Sequence, residues 1–475
     1  MNNHTQLLTG LLFLFLTSCQ TPEQKTPDRP PNFIIIYADD LGYGDLSCFG
    51  NPTIKTPHLD RMAAEGQKWT QFYVADPVCT PSRAALMTGR YPIRNGMTST
   101  KRGVLFPDSE GGLPQEEITI AEVLKQKDYA TAHFGKWHLG HLPQHLPTTQ
   151  GFDIYFGIPY SNDMDFVKGS PNYYQEAHKD SRFQAKTAHY NVPLIENEQV
   201  IERPANQNTY TRRCTEKSID FIKANQDKPF FLYLAHNQPH IPLFAGEDFL
   251  NSSKRGLYGD VIQEIDWTVG QILSTIKELK LEDNTVVMFS SDNGPWLAFR
   301  THGGSAGPLR AGKGTTFEGG QRVPTIFWGP NYVKPGIIDE MGSTLDVIQT
   351  FASLAGVEAP SDRKMDGYDL SAVLEGKGSS PRNEFFYWAF GELHGARIGA
   401  WKLHLRQRQP VQYWKEADLE HPELYHVEKD ISEKYDRYEE IPDVVERIQN
   451  RIAEHIESTA DALPDNLAKR IGDEE

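Results

Sequence analysis

Cys79 is the residue of this chain whose surroundings most clearly predict chemistry. It lies in the segment PVCTPSRAALMTGR, residues 77–90, where Pro81 suits the first position of a helix and Gly89 suits its end. A cysteine at a helix N-terminus meets free amide hydrogens and the positive end of the helix dipole, which favour a bound oxyanion and acidify a thiol. The segment therefore predicts a reactive, anion-binding Cys79, although a small buried cysteine without a chemical role is the commoner alternative.

Four apolar runs of the chain are each followed directly by side chains that can ligate or transfer protons. Any one of them alone is typical of an ordinary polar loop, so the prediction rests on their convergence. The side chains are Asp39 and Asp40 after residues 32–38, Lys136 and His138 after residues 129–134, His236 and His240 after residues 230–235, and Asp292 and Asn293 after residues 285–289. Adjacent carboxylates after a buried strand need a cation to satisfy them, and oxygen donors suit Ca²⁺ or Mg²⁺.

The elements that must position these side chains follow an alternating pattern. The apolar runs are short and continuous, as in strands buried on both faces, and the stretches 118–126, 211–224 and 259–279 between them have helical periodicity. This alternation predicts an α/β fold with a mostly parallel sheet covered by helices on both faces. Ligands of such sheets bind at the carboxyl ends of the strands, where the reactive side chains stand.

The composition excludes several classes of protein. The chain has 475 residues, of which 38% are hydrophobic, so it can bury a large core and is not a disordered chain. Its 48 Lys and Arg against 64 Asp and Glu give a net charge of −16, which argues against a nucleic-acid partner but leaves room for an anionic substrate in a local basic pocket. Four cysteines are too few for a disulfide scaffold.

The N-terminus is typical of an exported protein. The apolar run 7–16 is shorter than the about 20 residues that span a bilayer, and LTSC at residues 16–19 resembles the lipobox of bacterial lipoproteins. We expect a signal peptide over residues 1–18, a lipid (palmitate) on Cys19, a tether over residues 19–31, and a periplasmic or cell-surface protein held to the membrane by its lipid alone. The run lacks a preceding Lys or Arg, and an ordinary secretion signal is the alternative.

The string CTPSR at residues 79–83, followed by TGR at residues 88–90, resembles the signature of the type I sulfatases, whose cysteine is oxidised to formylglycine (3-oxoalanine). Further segments resemble sulfatase motifs in the same order, and two are similar to the arylsulfatase A branch. The first group is DDLGYGDL at 39–46, GKWHLG at 135–140, SDNG at 291–294 and GKGTTFEGG at 312–320, and the second is GGLP at 111–114 and residues 151–161.

The resemblance implies roles for named residues. One divalent cation, Ca²⁺ in this family, would be held by Asp39, Asp40, Asp292, Asn293 and the modified Cys79. Orientation and deprotonation of the nucleophile would fall to Arg83 and His138. Sulfate oxygens would be bound by Lys136, His240 and Lys313, with His240 or Lys313 as the proton donor. The resemblance also implies that His302 lines the pocket and that His236 is structural or lies at the rim.

The implied reaction is sulfate ester hydrolysis. A formylglycine gem-diol at position 79 would attack sulfur, expel the alcohol and leave a sulfated enzyme, from which sulfate is eliminated. We expect a sulfated polysaccharide or oligosaccharide as substrate and a formylglycine-generating enzyme as maturation partner. The polar and aromatic segment 163–203 is either a sugar-binding loop or a surface loop without a ligand. A phosphatase or phosphodiesterase of the alkaline phosphatase superfamily and an inactive surface glycan-binding lipoprotein are the alternatives.

The resemblance also predicts how the chain is divided. We expect an alkaline-phosphatase-like catalytic domain over residues 32–375 and a C-terminal subdomain over residues 384–475 with a small antiparallel sheet and a packed helix. Its strands are predicted at 384–390, 396–405 and 423–427, and its helix at 443–457. Cys48 and Cys214 could pair or remain two buried free thiols.

Overall fold

The computed structural model describes residues 29–417 and 419–472. The predicted signal peptide, the lipidation site Cys19 and residues 20–28 of the tether lie outside the described residues. Among the helices of the described ranges, none combines the length and the apolar character that crossing a membrane requires.

Strands and helices alternate over the first three quarters of the described chain, and short strands dominate the last quarter. The strands are β1 Asn32–Ala38, β2 Gln67–Tyr73, β3 Ala130–Lys136, β4 Ile154–Ile158, β5 Leu194–Glu196, β6 Gln199–Glu202, β7 Phe230–Ala235, β8 Thr285–Ser291, β9 Arg322–Trp328, β10 Gly336–Ser343, β11 Glu384–Ala389, β12 Glu392–Ile398, β13 Trp401–His404, β14 Gln407–Arg408, β15 Glu416–Ala417 and β16 Glu423–His426. The helices are α1 Pro57–Glu65, α2 Cys79–Thr88, α3 Ile120–Leu124, α4 Tyr173–Lys179, α5 Gln207–Ala224, α6 Leu257–Glu278, α7 Glu318–Gln321, α8 Val347–Ala355, α9 Ser371–Leu374 and α10 Pro442–Glu457.

The large sheet has the order β10-β2-β9-β8-β1-β7-β3-β4-β5-β6 within the described residues. Its centre, from β8 through β1, β7 and β3 to β4, is parallel, and antiparallel pairs occur toward both edges. Because the central strands run in one direction, their carboxyl ends meet at one edge of the sheet. The predicted mostly parallel α/β sheet is confirmed.

Both faces of this sheet are buried. In β1, Ile34 and Ile36 pack into the core under α5 and α6, whereas Phe33 and Ile35 pack into a separate core that includes residues of α3 and α8. Alternate residues of one strand thus enter different cores, which is why the strand reads as a continuous apolar run.

The second sheet, β11-β12-β13-β16, is antiparallel, and α10 packs on it through Ile448 and Ile452. The smaller C-terminal antiparallel sheet with its helix is therefore confirmed. The same cluster contains Tyr73 of β2 and Leu345, so the second sheet packs directly on the part of the chain that carries the large sheet. The domain boundaries at 375 and 384 stay a prediction.

Several predicted bounds differ from the structure for local reasons. The strand predicted over 396–405 is instead parts of β12 and β13, because Gly399, with φ 57°, turns the chain between them. Helix α3 is shorter than predicted and begins with a capping box of Thr119 and Glu122. Helix α5 starts four residues before the predicted Thr211 because the side chain of Asn206 caps it.

The remaining cysteines do not form a disulfide. Cys48 is half-buried, Cys214 is buried, and both are free thiols. The alternative of a Cys48–Cys214 pair is therefore wrong.

Candidate active site

The ends of β1 and β8 bring the predicted metal-ligating residues together. The two strands are parallel neighbours in a register that pairs Ala38 with Ser291, so the residues that follow them meet at the same edge. The amide of Asp40 donates to Oδ1 of Asp292 (3.1 Å), and the side-chain amide of Asn293 donates to Oδ1 of Asp40 (2.7 Å). Asp40 holds a positive φ of 66°, a strained conformation that the surrounding structure must maintain.

Cys79 is the first residue of α2 and is 1% exposed. Its Sγ lies 3.5 Å from Oδ1 of Asp39 and 3.5 Å from Nζ of Lys313. Helix α2 ends as predicted at Gly89, which has φ 67°, whereas Pro81 is the third residue of the helix and not the first. The predicted acidic thiol is wrong: burial raises the pKa of the Cys79 thiol well above its usual value, and the nearby Lys136 does not offset it.

Three cations surround this cluster of carboxylates. Nε and Nη2 of Arg83 each lie 2.9 Å from Oδ2 of Asp292. Nζ of Lys136 lies 2.6 Å from Oδ2 of Asp39, and Nζ of Lys313 lies 2.7 Å from an oxygen of Asp40. Each carboxylate of the site therefore has a cation within 3 Å, and Asp39 also lies 3.7 Å from Nη2 of Arg83. The three carboxylates balance the three cations when the histidines are neutral.

Lys136 also donates to Oγ of Ser161 (2.6 Å), a residue after β4 that the sequence analysis did not single out as functional. Ser161 lines the same pocket as Cys79. Ser161 belongs to the segment 151–161, whose resemblance to the arylsulfatase A branch does not by itself assign it a role.

His138 has a defined protonation pattern. Its Nε2 donates to the carbonyl oxygen of Leu105 (2.9 Å), so Nε2 carries the proton of the neutral ring. Its Nδ1 is buried and has no hydrogen-bond partner among the described residues. Burial, and after it the charge of Lys136, lowers the pKa of His138 well below its usual value. His138 therefore presents a free lone pair at Nδ1.

The other three histidines differ in whether they line the pocket around Cys79. His240 lines the pocket, with Nε2 3.7 Å from Oδ2 of Asp40, and burial followed by the charge of Lys313 lowers its pKa. His236 is buried, its pKa is lowered by burial to about 4, and it is not among the described residues that line the pocket. His302 accepts or donates a hydrogen bond at Nδ1 with the hydroxyl of Tyr173 (2.7 Å) and also lies outside that lining, so its predicted place in the pocket is not supported.

The pocket above Cys79 has a volume of about 270 Å³. Of the predicted residues, Cys79, His138, His240 and Lys313 line it. Other residues of its wall were missed by the sequence analysis and include Ser161, Trp296, Phe390, Tyr413 and Trp414. Most of the predicted sugar-binding segment 163–203 lies elsewhere, and only Asp163 and Met164 of it line this pocket.

A second cavity of about 270 Å³ lies beside α10 and contains several arginines. Two of its arginines are paired with carboxylates: Arg94 pairs with Asp366 (2.9 Å), and Nε of Arg382 donates to Asp346 (2.9 Å). This cavity has no group corresponding to Cys79 among its lining residues, so the chemistry belongs to the first pocket.

The donor set of the site fits a hard divalent cation. Ligand atoms of Asp39, Cys79 and Asp292 all lie within 4.8 Å of one another. Burial, together with the charge of Asp39, raises the pKa of Asp292 to about 7, a cost that a bound cation relieves. The Oδ1 of Asn293 is buried without a hydrogen-bond partner among the described residues, as expected of a ligand oxygen. Carboxylate and amide oxygens of this kind suit Ca²⁺ or Mg²⁺.

A buried ionic network joins the C-terminal sheet to the loop that carries Lys313. Nζ of Lys402 on β13 lies 2.9 Å from Oε1 of Glu318 and 2.9 Å from Oε1 of Glu433. Glu433 also accepts from Nε2 of His404 (2.7 Å) and from the backbone amide of Glu318 (2.7 Å). Since Glu318 begins α7 directly after residues 312–317, this network fixes the end of the Lys313 loop.

Comparisons with known proteins agree with this geometry. The family model described as "Sulfatase" matches residues 31–357, and the model described as "N-sulphoglucosamine sulphohydrolase, C-terminal" matches residues 312–461. Arylsulfatase A of Homo sapiens is 42% identical over 427 residues, covering 86% of this chain and 83% of that protein. N-acetylgalactosamine-6-sulfatase of Canis lupus familiaris is 40% identical over 413 residues, covering 83% of this chain and 76% of that protein.

Solved structures share the whole architecture. The crystal structure of Ps i-CgsB in complex with k-i-k-neocarrahexaose matches with a TM-score of 0.76 and 31% sequence identity. The match covers 92% of this chain and 94% of that one, so it includes both the large sheet and the C-terminal sheet.

Proposed function

The chain belongs to the sulfatase family and hydrolyses sulfate esters, and we propose that its substrate is the sulfate ester of a saccharide. The observation that carries the proposal is the pocket in which Cys79 and Lys313 lie beside an open wall of aromatic side chains. Two relatives support the class of substrate: one is named for N-acetylgalactosamine 6-sulfate, and one was solved with a neocarrahexaose. A galactose or N-acetylgalactosamine sulfate within a larger glycan is the substrate we favour.

We propose that Cys79 is oxidised to formylglycine by a formylglycine-generating enzyme. The hydrated aldehyde supplies an oxygen nucleophile at the N-terminus of α2. The position suits this role because Sγ of Cys79 lies 3.5 Å from both Asp39 and Lys313, where a smaller oxygen would meet an acceptor and a donor.

We propose that Asp39, Asp40, Asp292 and Asn293, with the modified residue 79, hold one Ca²⁺. When bound, the cation polarises the sulfate group and adds positive charge to a site whose own charges balance. That excess of positive charge favours the anionic ester over neutral compounds.

The chain's own residues divide the remaining work. Nδ1 of His138 accepts the proton from the nucleophile, because its Nε2 is committed to the carbonyl of Leu105. Lys313 donates to the sulfate oxygens from its position 3.5 Å from Sγ of Cys79, and Lys136, which is held by Asp39 and Ser161, has the same proposed role. His240 lies on the same wall, but its Nδ1 donates to the carbonyl oxygen of Ile241, so Nε2 donates to a sulfate oxygen or to the departing alcohol only after the ring has taken up a second proton. Arg83 holds Asp292 by two nitrogens and keeps the carboxylate in place.

A sulfate-release assay tests the substrate class. Purified protein matured with the oxidising enzyme is offered galactose 6-sulfate, N-acetylgalactosamine 6-sulfate, sulfated oligosaccharides and 4-nitrophenyl sulfate, with Cys79→Ala as the inactive control. We expect sulfate from at least one saccharide and a peptide mass at position 79 that corresponds to formylglycine. Turnover of 4-nitrophenyl sulfate alone contradicts a saccharide substrate, and a phosphate ester cleaved faster than every sulfate ester favours the phosphatase alternative.

We also propose that the protein is an exported lipoprotein. The support is the apolar run 7–16 and the LTSC string at 16–19. We expect the full chain in the membrane fraction of its bacterial host and the Cys19→Ala variant in the soluble fraction. An unmodified Cys19 peptide in the wild-type protein overturns this localisation.

A further inference from the structure

The pocket around Cys79 has a part that the sulfate chemistry does not use. We name it the alcohol side and define it as Asp163, Trp296, Phe390, Tyr413 and Trp414. These residues come from four separate segments: the loop after β4, the loop after β8, the turn between β11 and β12, and the tip of the β14–β15 hairpin. Because the sulfate is held by charged groups next to Cys79, the alcohol half of the ester must occupy this part of the cavity.

Asp163 offers an acceptor without a partner. Its Oδ1 is inaccessible to solvent and accepts no hydrogen bond from any of the described residues, although the side chain lines the cavity. A carboxylate that lines a cavity without a donor from the protein is available to a donor from a ligand. In the alcohol half of the ester, a hydroxyl group is the donor that could bind to this carboxylate.

A row of contacting aromatic rings, Trp296, Tyr413 and Trp414, extends from the catalytic groups to the mouth of the pocket and is called the aromatic ladder below. Trp296 packs against His240 (ring centroids 5.4 Å) and under Nζ of Lys313 (4.5 Å), and Tyr413 packs against Trp296 (6.2 Å). Trp414 contacts Tyr413 at 5.7 Å with its ring nearly perpendicular, yet 58% of Trp414 is exposed. An exposed tryptophan at a cavity mouth presents a flat face of the kind that packs on a ligand.

The hairpin that carries the ladder is held against the loop of Lys313. Gly314 approaches Tyr413 so closely that an added Cβ would lie 2.1 Å from Cγ of Tyr413. Phe390 stacks on Tyr413 (6.0 Å, 20°), and Arg408 lies 4.3 Å over Phe390. The aromatic face is therefore fixed relative to the catalytic lysine and does not depend on a ligand for its position.

We propose that Asp163 and Trp414 determine specificity for a pyranose ring, with Asp163 accepting from a ring hydroxyl and Trp414 packing on the C–H face of the sugar. A pyranose has both kinds of group, since its hydroxyls lie at the edge and its axial C–H groups form an apolar face that suits the negative face of an aromatic ring. A simple aryl sulfate has no further hydroxyl for Asp163, because its only phenolic oxygen is esterified. This inference rests on the proposed saccharide substrate and names the residues that select it.

The test compares two substrates in matched variants of the matured full-length protein. For each variant, kcat and KM are measured with the saccharide sulfate that the wild type prefers and with 4-nitrophenyl sulfate. Asp163→Asn is paired with Asp220→Asn on the exposed face of α5, and Trp414→Ala is paired with Trp414→Phe and with Tyr435→Ala, a tyrosine that is 70% exposed. Thermal unfolding of every variant reports whether it is folded.

We expect Asp163→Asn to lower the ratio of kcat/KM for the saccharide over the aryl sulfate at least tenfold, because only the saccharide donates a hydroxyl and a neutral amide oxygen accepts it less strongly than a carboxylate. We expect Trp414→Ala to raise the KM for the saccharide about tenfold with a much smaller change in kcat. In Trp414→Phe, the KM should return most of the way to the wild-type value. The two surface controls should match the wild type.

Two results overturn the inference while leaving the saccharide substrate intact. One is an equal loss on both substrates in Asp163→Asn, which places that carboxylate in the sulfate chemistry. The other is an unchanged KM in folded Trp414→Ala. A wild-type protein that cleaves 4-nitrophenyl sulfate and no saccharide sulfate overturns the proposed function instead, and this inference with it.

Discussion

Removal of the Lys402 ammonium tests how firmly the C-terminal sheet is joined to the Lys313 loop. In Lys402→Met, a side chain of similar length replaces the cation that lies 2.9 Å from both Glu318 and Glu433. All three side chains are fully buried, so water cannot replace the lost contacts. Two carboxylates then remain in the interior without their shared cation.

The expected cost is large because the pair is buried. Breaking a buried ion pair by removing one partner costs about 3–5 kcal/mol of the free energy of unfolding. Burial by itself would raise the pKa values of Glu318 and Glu433, but Lys402 holds both below their usual value. Their contribution to stability is therefore present above the carboxyl pKa of the unfolded chain, about 4.3, and is lost only as the pH falls through the lower folded pKa.

Urea unfolding at pH 7.5 and pH 5, followed by tryptophan fluorescence and circular dichroism, measures the effect. We expect a loss of about 4 kcal/mol at pH 7.5 that shrinks at pH 5, because the stranded carboxylates of the variant take up protons there. Lys377→Met is the matched control: its ammonium lies 3.0 Å from Glu375 but is 72% exposed, and such pairs contribute about 0–1 kcal/mol. A loss below about 1 kcal/mol in Lys402→Met, or a loss that is the same at both pH values, refutes the reasoning.

Three further predictions concern other parts of the molecule. Burial raises the pKa of Glu264 on α6 to about 7, so the stability that its protonated form contributes is lost as the pH rises through 7. The free energy of unfolding of Glu264→Gln should therefore exceed that of the wild type by up to about 3 kcal/mol at pH 8.5 and equal it at pH 4. Thermal unfolding that gives variant and wild type the same stability at both pH values contradicts this. Removal of divalent cations with EGTA should lower sulfate release at least tenfold and lower the melting temperature, and added Ca²⁺ should restore both. Restoration by Mg²⁺ and not by Ca²⁺ contradicts the choice of cation. Gly314→Ala should raise the KM for a saccharide sulfate, because the added Cβ displaces Tyr413 and because position 314 has a φ of +78°, which strains an alanine. Kinetics equal to those of the wild type contradict a fixed hairpin.

The central sheet could be predicted from the sequence because its signals are local. A strand buried on both faces is a continuous apolar run, and the predicted bounds 32–38 and 230–235 agree with β1 and β7 residue for residue. The reactive groups after those strands were also predictable, since parallel strands end at one edge. The turn at Gly399 was missed because strand propensity on both of its sides masks a single glycine.

The recognition half of the pocket could not be predicted in the same way. Tyr413 and Trp414 lie more than 300 residues along the chain from Cys79, and Tyr413 reaches the pocket through its contacts with Trp296, Gly314 and Phe390. A pair of aromatic residues in a short polar connection is a weak signal on its own. The thiol of Cys79 was expected to be acidic from its helix position alone, whereas its complete burial outweighs the helix.

The β14–β15 hairpin is a part of the molecule through which substrate specificity can change independently of the large sheets. The two strands form their own small sheet, hydrogen-bonded to each other and separate from both larger sheets in the described residues. A ribbon of this kind tolerates altered length and sequence at its tip, because no core strand depends on it. Exchange of the tip between homologous proteins should therefore change the choice of sugar and leave the sulfur chemistry unaltered when the contact of Tyr413 with Gly314 is kept. Directed evolution of specificity should start at this hairpin.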